Sequence, residues 1–347
     1  GLTAGAQGSA ADRDDIVVVG AGSWGTALAI QFARSGHRTL LWGRLEDHLD
    51  RLAEDRENQQ YLPGAPFPEA LVVEPDIEAA LAGAPNVLVS VPSHGFRSVL
   101  TMLRPNLRPD ARLSWATKGF EVDTGKLPHQ VAEEVLGDAI PKAVLSGPTF
   151  AKEVGIGLPT AMTVAASDED YAQDMAANIS GETFRAYTST DIVGVEVGGA
   201  VKNALAIGAG ICDGLGFGAN TRIALITRGL VEMTRLGIAL GAQPATFMGL
   251  AGMGDLVLTC TDNQSRNRRM GLALAAGQTV AEAEEEIRQV VEGVKAAAAV
   301  HRVAGEAGVE MPICEQIYRI IYEGADPRNA VSVLMQRALK AEFALGG

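Results

Sequence analysis

From residue 16 to about residue 190, short apolar runs alternate with stretches of helical periodicity. The runs are Ile16–Gly20, Thr39–Trp42, Leu71–Val73, Asn86–Val91, Arg112–Ala116 and Ala143–Ser146. They are rich in Val, Leu and Ile and nearly continuous, as strands covered on both faces are. Between them, Trp24–Ser35, Leu45–Glu57, Asp76–Ala82, Gly95–Leu103 and Leu127–Leu136 read as helices. Such alternation predicts right-handed crossovers and a doubly wound parallel α/β sheet of Rossmann type. Thr160–Ala166 and Thr183–Tyr187 are expected to extend that sheet.

Beyond about Thr190 the period changes. Val195–Gly210, Thr221–Leu240, Arg266–Ala276, Val280–Gln289, Val294–Ala307, Ile313–Tyr322 and Val331–Leu339 carry apolar residues at three- and four-residue spacing. The expected organisation is a disordered tail over 1–14, a dinucleotide-binding domain over 15–190 and an all-α domain over 191–347. The most apolar helical stretch, Val197–Ile211, contains Lys202 and Asn203. It is too short and too polar to span a membrane and reads as a buried helix.

Composition narrows the functional classes. The 347 residues are 47% hydrophobic and 20% charged, which is globular usage. A net charge of −13 argues against nucleic acid and anionic membrane as partners, so an anionic ligand needs a local basic pocket. Cys212, Cys260 and Cys314 form neither a disulfide framework nor a zinc spacing, and no metal site is expected. A reducing, cytoplasmic setting fits them. The first residues lack a cationic start and an apolar core, so they do not read as a secretory signal.

Gly20-Ala21-Gly22-Ser23-Trp24-Gly25 joins the first strand to the first helix. In that context the glycines mark a dinucleotide turn. Gly20 permits the bend, Gly22 lets backbone approach a pyrophosphate, and Gly25 lets helix and sheet pack closely. The second strand runs into Gly43-Arg44, with no acid before Glu46. Arg44 in place of a ribose-binding acid favours NADP(H), with NAD(H) as the alternative; Arg44 could also merely stack on adenine or face solvent. His94, at the end of the Asn86–Val91 run, reads as a surface or cofactor-edge residue in preference to an acid–base group.

Only 7 of the 29 basic residues are lysines, and two have unusual settings. Lys118 follows a strand in Ala116-Thr117-Lys118-Gly119, and Lys202 lies among small and apolar residues in Gly198-Gly199-Ala200-Val201-Lys202-Asn203. A desolvated lysine beside a second cation has a lowered pKa and suits proton donation to a carbonyl oxygen. A structural ion pair for Lys202 and an exposed turn for Lys118 are the alternatives. Asp255, in Gly254-Asp255-Leu256, could hold an ammonium or simply cap a helix, with Thr259 four residues on. Ser265-Arg266-Asn267 opens a helix and forms a possible phosphate cradle. Together these features describe a reductase of a small phosphorylated ketone. A hydroxyacid dehydrogenase and a non-catalytic dinucleotide sensor are the competing readings.

From Ile16 to about Arg337 the chain resembles the bacterial NAD(P)-dependent glycerol-3-phosphate dehydrogenases. The resemblance lies in GAGSWGTALA, WATKGFE, LSGPTFAKEV, GGAVKNALAIGAG, GFGANTR, LAGMGDLVLTCTDNQSRNRR and VVEG. It implies that Lys202 is the proton donor or acceptor, with Asp255 holding it and Asn203 and Thr259 lining the pocket. Gly20, Gly22, Ser23, Trp24, Gly25, Arg44, Lys118, Ala151, Arg266, Val290 and Glu292 would then serve the cofactor. Lys118, Gly147, Thr149, Lys202, Asp255, Thr259, Ser265, Arg266 and Asn267 would serve the substrate. The implied role is cytoplasmic reduction of dihydroxyacetone phosphate to sn-glycerol 3-phosphate for phospholipid synthesis, by a homodimer.

Overall fold

The computed structural model describes residues 13–345. The tail expected over 1–14 lies outside the described residues up to position 12. Arg13 is already anchored: its guanidinium pairs with Asp174 at 3.0 Å and its carbonyl accepts from Asn86 Nδ2 at 2.8 Å. The chain divides into two compact units. One comprises residues 1–117, 129–145 and 149–190; the other comprises 118–128, 146–148 and 191–347. The segments 118–128 and 146–148 thus belong with the second unit, although the expected boundary puts both in the first domain. Phe120 and Leu127 explain the first of these, because both are buried in the helical core.

The strands are β1 (Ile16–Val19), β2 (Thr39–Trp42), β3 (Glu57–Asn58), β4 (Leu62–Pro66), β5 (Leu71–Val73), β6 (Asn86–Val89), β7 (Arg112–Trp115), β8 (Lys142–Ser146), β9 (Thr160–Ala166) and β10 (Phe184–Ser189). Eight of them form one sheet in the order β10-β9-β8-β7-β6-β1-β2-β5. The pairs β1–β2, β1–β6, β2–β5, β6–β7, β7–β8 and β9–β10 are all parallel. After β5 the chain returns to the other side of β1, so the carboxyl ends of β1 and β6 flank the point where strand order reverses. In such sheets that crevice takes the ligand.

The two remaining strands were not evident in the sequence. β3 and β4 form an antiparallel hairpin immediately after the Glu46–Asp55 helix. The sequence pattern carries that helix on to Glu57, but Arg56 adopts a left-handed conformation (φ 53°) and ends it. The Glu169–Ile179 helix was also unanticipated; Asp168 opens it by accepting the N–H groups of Asp170 and Tyr171.

The second unit is helical, and no strand follows Ser189 among the described residues. Its axis is the Ile192–Gly214 helix, buried continuously from Gly194 to Cys212. The Ala219–Ala239, Asp255–Thr261, Arg266–Ala275, Glu292–Ala307 and Pro312–Tyr322 helices pack around it. Its length and composition would allow a membrane crossing, but 89% of its apolar window is buried inside the unit, the environment of a core helix. The helix starts three residues before the predicted limit because Asp191 accepts the N–H of Gly194 at 3.0 Å and the Thr246 hydroxyl at 2.6 Å. The last helix, expected over Val331–Leu339, is instead Pro327–Met335, with Asp326 as its cap and proline in its first turn.

Candidate active site

The glycine turn lies at the carboxyl end of β1. Gly20 has φ +120°, and a Cβ there would stand 2.1 Å from the Ser90 carbonyl oxygen beyond β6. A Cβ on Gly25 would meet the Gly20 oxygen at 1.9 Å. Both positions therefore exclude side chains sterically. Gly22 differs: it is exposed, extended and open, with nothing within 4 Å of an added Cβ. It caps the Ser23–Arg34 helix without any side-chain hydrogen bond. A helix start with an open backbone face is a cradle for a diphosphate. Ser23 and Trp24 are half-buried in the first turn, and Trp24 packs on the core of this unit. Arg44 is exposed beyond β2. Thr149 and Ala151 also belong to this unit, with Ala151 starting the Ala151–Gly155 helix.

The second unit gathers the charged residues. Lys202 Nζ donates to Asp255 Oδ1 at 2.6 Å, and Lys118 Nζ donates to Asp255 Oδ2 at 3.1 Å. The Asp255 side chain is 1% exposed, that of Lys202 8% and that of Lys118 15%. Asp255 caps no backbone; both carboxylate oxygens hold ammoniums. One turn of π-helix, Leu250–Gly254, precedes the Asp255–Thr261 helix and sets where that carboxylate points. Thr259 is buried one turn further along the same helix face.

Small residues make room for this cluster. Added Cβ atoms would stand 3.3 Å from the Lys118 stem at Gly199 and 2.4 Å from the Ala251 oxygen at Gly198. The face of the Ile192–Gly214 helix that carries Lys202 is thus bare exactly one turn earlier, where Lys118 and the π-turn approach. Gly147 is buried, and its neighbour Pro148 lies against Gly254, just before Asp255.

Electrostatics follow from the geometry. Burial pushes the Lys202 ammonium down to about 8; Asp255 opposes the shift and Lys118 reinforces it. Two ammoniums share one carboxylate, leaving a buried excess of positive charge. A developing alkoxide is what such a site stabilises.

The Arg266–Ala275 helix starts nearby. Ser265 caps it by accepting the Arg268 N–H at 3.1 Å. Asn267 Oδ1 accepts the Gly293 N–H at 2.7 Å, so its amide donors are the part left for an anion. A Cβ on Gly293 would stand 2.6 Å from the carbonyl oxygen of Asn203, so this helix start adjoins the neighbour of Lys202. Burial lowers the pKa of Arg266, with Glu292 opposing that shift. Val290 is exposed ahead of the Glu292–Ala307 helix.

Sequence reasoning passed over Arg268. Its guanidinium binds Asp213, Asn263 Oδ1 at 3.0 Å and the Cys260 carbonyl at 3.3 Å, and Arg222 grips the same Asp213 at 3.0 Å. It therefore clips the loop before the Ser265 cap to the end of the Lys202 helix. Among the described residues no cluster of His, Cys, Asp and Glu could hold a metal ion, and all three cysteines are buried and unpaired.

Comparison with known proteins identifies the family. Residues 15–172 match the N-terminal model of NAD-dependent glycerol-3-phosphate dehydrogenase, and residues 191–332 match its C-terminal model. The chain is 57% identical over 333 residues to glycerol-3-phosphate dehydrogenase [NAD(P)+] of Aeromonas hydrophila, covering 96% of this chain and 100% of that one. The same-named protein of Escherichia coli O1:K1 is 56% identical over 94% of this chain and 97% of its own. The crystal structure of glycerol-3-phosphate dehydrogenase from Coxiella burnetii superposes with a TM-score of 0.90 at 46% identity, covering 94% of this chain and 99% of that one. The chain belongs to the NAD-dependent glycerol-3-phosphate dehydrogenase family.

Proposed function

We propose that this protein catalyses the reversible NAD(P)H-dependent reduction of dihydroxyacetone phosphate to sn-glycerol 3-phosphate, the backbone for glycerophospholipid assembly. The observation that carries the reading is the buried Lys118–Asp255–Lys202 cluster beside a helix start bearing Ser265, Arg266 and Asn267. The open backbone at Gly22 and the helix start behind it, which no side chain caps, fit a dinucleotide diphosphate. Gly20, Gly22, Ser23, Trp24 and Gly25 would hold it there. Ala151, Lys118, Arg266, Val290 and Glu292 are assigned to the same cofactor. When bound, the cofactor supplies a hydride to C2 of the ketone.

The remaining work falls to side chains. Lys202 donates a proton to the C2 oxygen as negative charge grows there, and in the reverse direction its neutral amine takes that proton back. A pKa near 8 keeps both forms accessible near neutral pH. Asp255 orients the Lys202 ammonium, and Lys118 adds positive charge beside the oxygen. Arg266, the Ser265 hydroxyl and the Asn267 amide are assigned to the substrate phosphate, and Gly147, Thr149 and Thr259 to the rest of the substrate. Binding energy from the non-reacting phosphate holds C2 in place for reaction. Arg44, with no acid between it and β2, supports a preference for NADPH.

The test is NADPH consumption by the full chain with dihydroxyacetone phosphate, for wild type and Lys202→Met. Turnover should fall by a factor of order 10²–10⁴ in the variant, while calorimetric NADPH binding persists. Near-normal turnover would remove Lys202 from the chemistry. A wild type that prefers a 2-oxo acid would make the protein a hydroxyacid dehydrogenase instead.

A further inference from the structure

Asn58, on the β3–β4 hairpin, lies far in sequence from the glycine turn but reaches its backbone. Its side chain is wholly buried. Nδ2 donates to the Ala21 carbonyl at 3.0 Å and to Thr26 Oγ1 at 2.9 Å. Oδ1 accepts the Tyr61 N–H at 3.1 Å, and His48 Nε2, at 3.3 Å, donates to it in the Nε2-protonated tautomer. Both amide hydrogens and both lone pairs are thus engaged, so the side chain is fixed in one orientation.

The Ala21 carbonyl and the Gly22 N–H belong to the same peptide. In a planar trans peptide these two groups point in opposite directions. Drawing the carbonyl inward therefore turns the Gly22 N–H outward, on the residue whose outer face is open. Thr26 ties the other end of the turn, because its N–H donates to the Gly22 carbonyl at 3.0 Å while its hydroxyl accepts from Asn58. Of the two peptides that flank Gly22, one is held directly by the buried Asn58 amide and the other by Thr26, whose hydroxyl Asn58 also holds.

We propose that Asn58 is a positioning residue for the cofactor diphosphate: it presets the Gly22 N–H as a donor before the dinucleotide arrives. The inference rests on the reading of the glycine turn as the cofactor cradle. A preset donor loses no conformational freedom on binding, so its loss should appear in cofactor affinity. Apart from that, the hairpin takes no part in the proposed chemistry.

The experiment titrates NADPH and ADP-ribose calorimetrically onto the full-length wild type, Asn58→Asp, Asn58→Ala and Gly22→Val. Thermal melts check that each variant is folded; if Asn58→Asp fails to fold, Asn58→Ala carries the test. Gly22→Val should fold, since residue 22 is extended (φ −76°) and faces open space. The Asn58 variants should bind both ligands about tenfold more weakly, the loss expected for a disabled charge-assisted hydrogen bond. Their KM for NADPH should rise by more than kcat falls, and their KM for dihydroxyacetone phosphate should change less than that for NADPH. A purely structural role would lower the melting temperature without separating the two KM values. If Gly22→Val weakens NADPH but a folded Asn58 variant binds within twofold of wild type, the role of Asn58 is overturned and the cofactor reading stands. If neither substitution affects binding, the cofactor reading itself falls, and the inference with it.

Discussion

Asp255→Asn tests the electrostatics of the lysine cluster most directly. The substitution keeps the shape of the side chain but removes the charge that both ammoniums share. Lys202 Nζ is 2.6 Å from one carboxylate oxygen. Unit charges about 3 Å apart in an effective dielectric of about 20 attract by roughly 5 kcal/mol, or about four pKa units. Allowing half of that for water entering a loosened site, the Lys202 pKa should drop by about two units, from about 8 to roughly 6. Lys118 remains, and its like charge acts in the same direction.

Ketone reduction needs the protonated amine, so its rate falls as pH rises through the Lys202 pKa. The assay is kcat/KM for dihydroxyacetone phosphate at saturating NADPH, from pH 5 to 9.5. The wild type should decline above about 8, and the variant should already decline above roughly 6. At pH 7 about a tenth of the variant's Lys202 would be protonated, so activity drops at least tenfold there and partly recovers on acidification. The substrate phosphate itself titrates near 6, but equally for both proteins, so the ratio of the two profiles isolates the enzyme. A variant with a lower plateau but an unmoved decline near 8 would refute the assignment, because the titrating group would not be held by Asp255.

Two other predictions concern separate parts of the chain. Glu232 is buried and accepts the Ile313 and Cys314 N–H groups at 2.8 and 3.1 Å, yet burial raises its pKa to about 7. Its folded-state pKa is above the unfolded value, so the native state retains a proton that the unfolded chain has lost. Its stabilising effect is therefore greatest at low pH and declines as pH rises from about 4.5 to about 7, by about 3 kcal/mol in all. Denaturant unfolding at pH 5.5 and 8 should show about 2 kcal/mol of that decline in the wild type and a smaller one in Glu232→Gln; an equal decline in both would contradict it. Arg44→Ser should lower kcat/KM for NADPH about tenfold or more and leave that for NADH within about twofold. An equal loss with both cofactors would show that Arg44 does not read the 2′-phosphate.

The sheet was legible because its strands are nearly continuous apolar runs, and β2, β5 and β9 fall on the residues that the pattern marks. The β3–β4 hairpin was not, because β3 has two residues and β4 is Leu-Pro-Gly-Ala-Pro, which has no alternation to read. Lys202 stood out through its small and apolar surroundings, and the Ser265 cap through its place ahead of a helical run. What sequence could not supply was proximity: Lys118 lies 137 positions from Asp255, and Asn58 37 from Ala21. The π-turn that aims Asp255 was likewise hidden, since Leu-Ala-Gly-Met-Gly has no periodicity that distinguishes it from a loop.

The interleaving of the two units has a consequence for dissection and for exchange between relatives. A contiguous fragment beginning at Asp191 would retain Lys202 and Asp255 but leave Lys118 behind, together with the buried anchors Phe120 and Leu127. Such a fragment would keep a carboxylate matched to a single amine, without the surplus cation. Grafting the whole helical half onto another nucleotide-binding scaffold would thus demand three pieces of chain spliced at five junctions, two of those pieces being needed to rebuild the ionic triad.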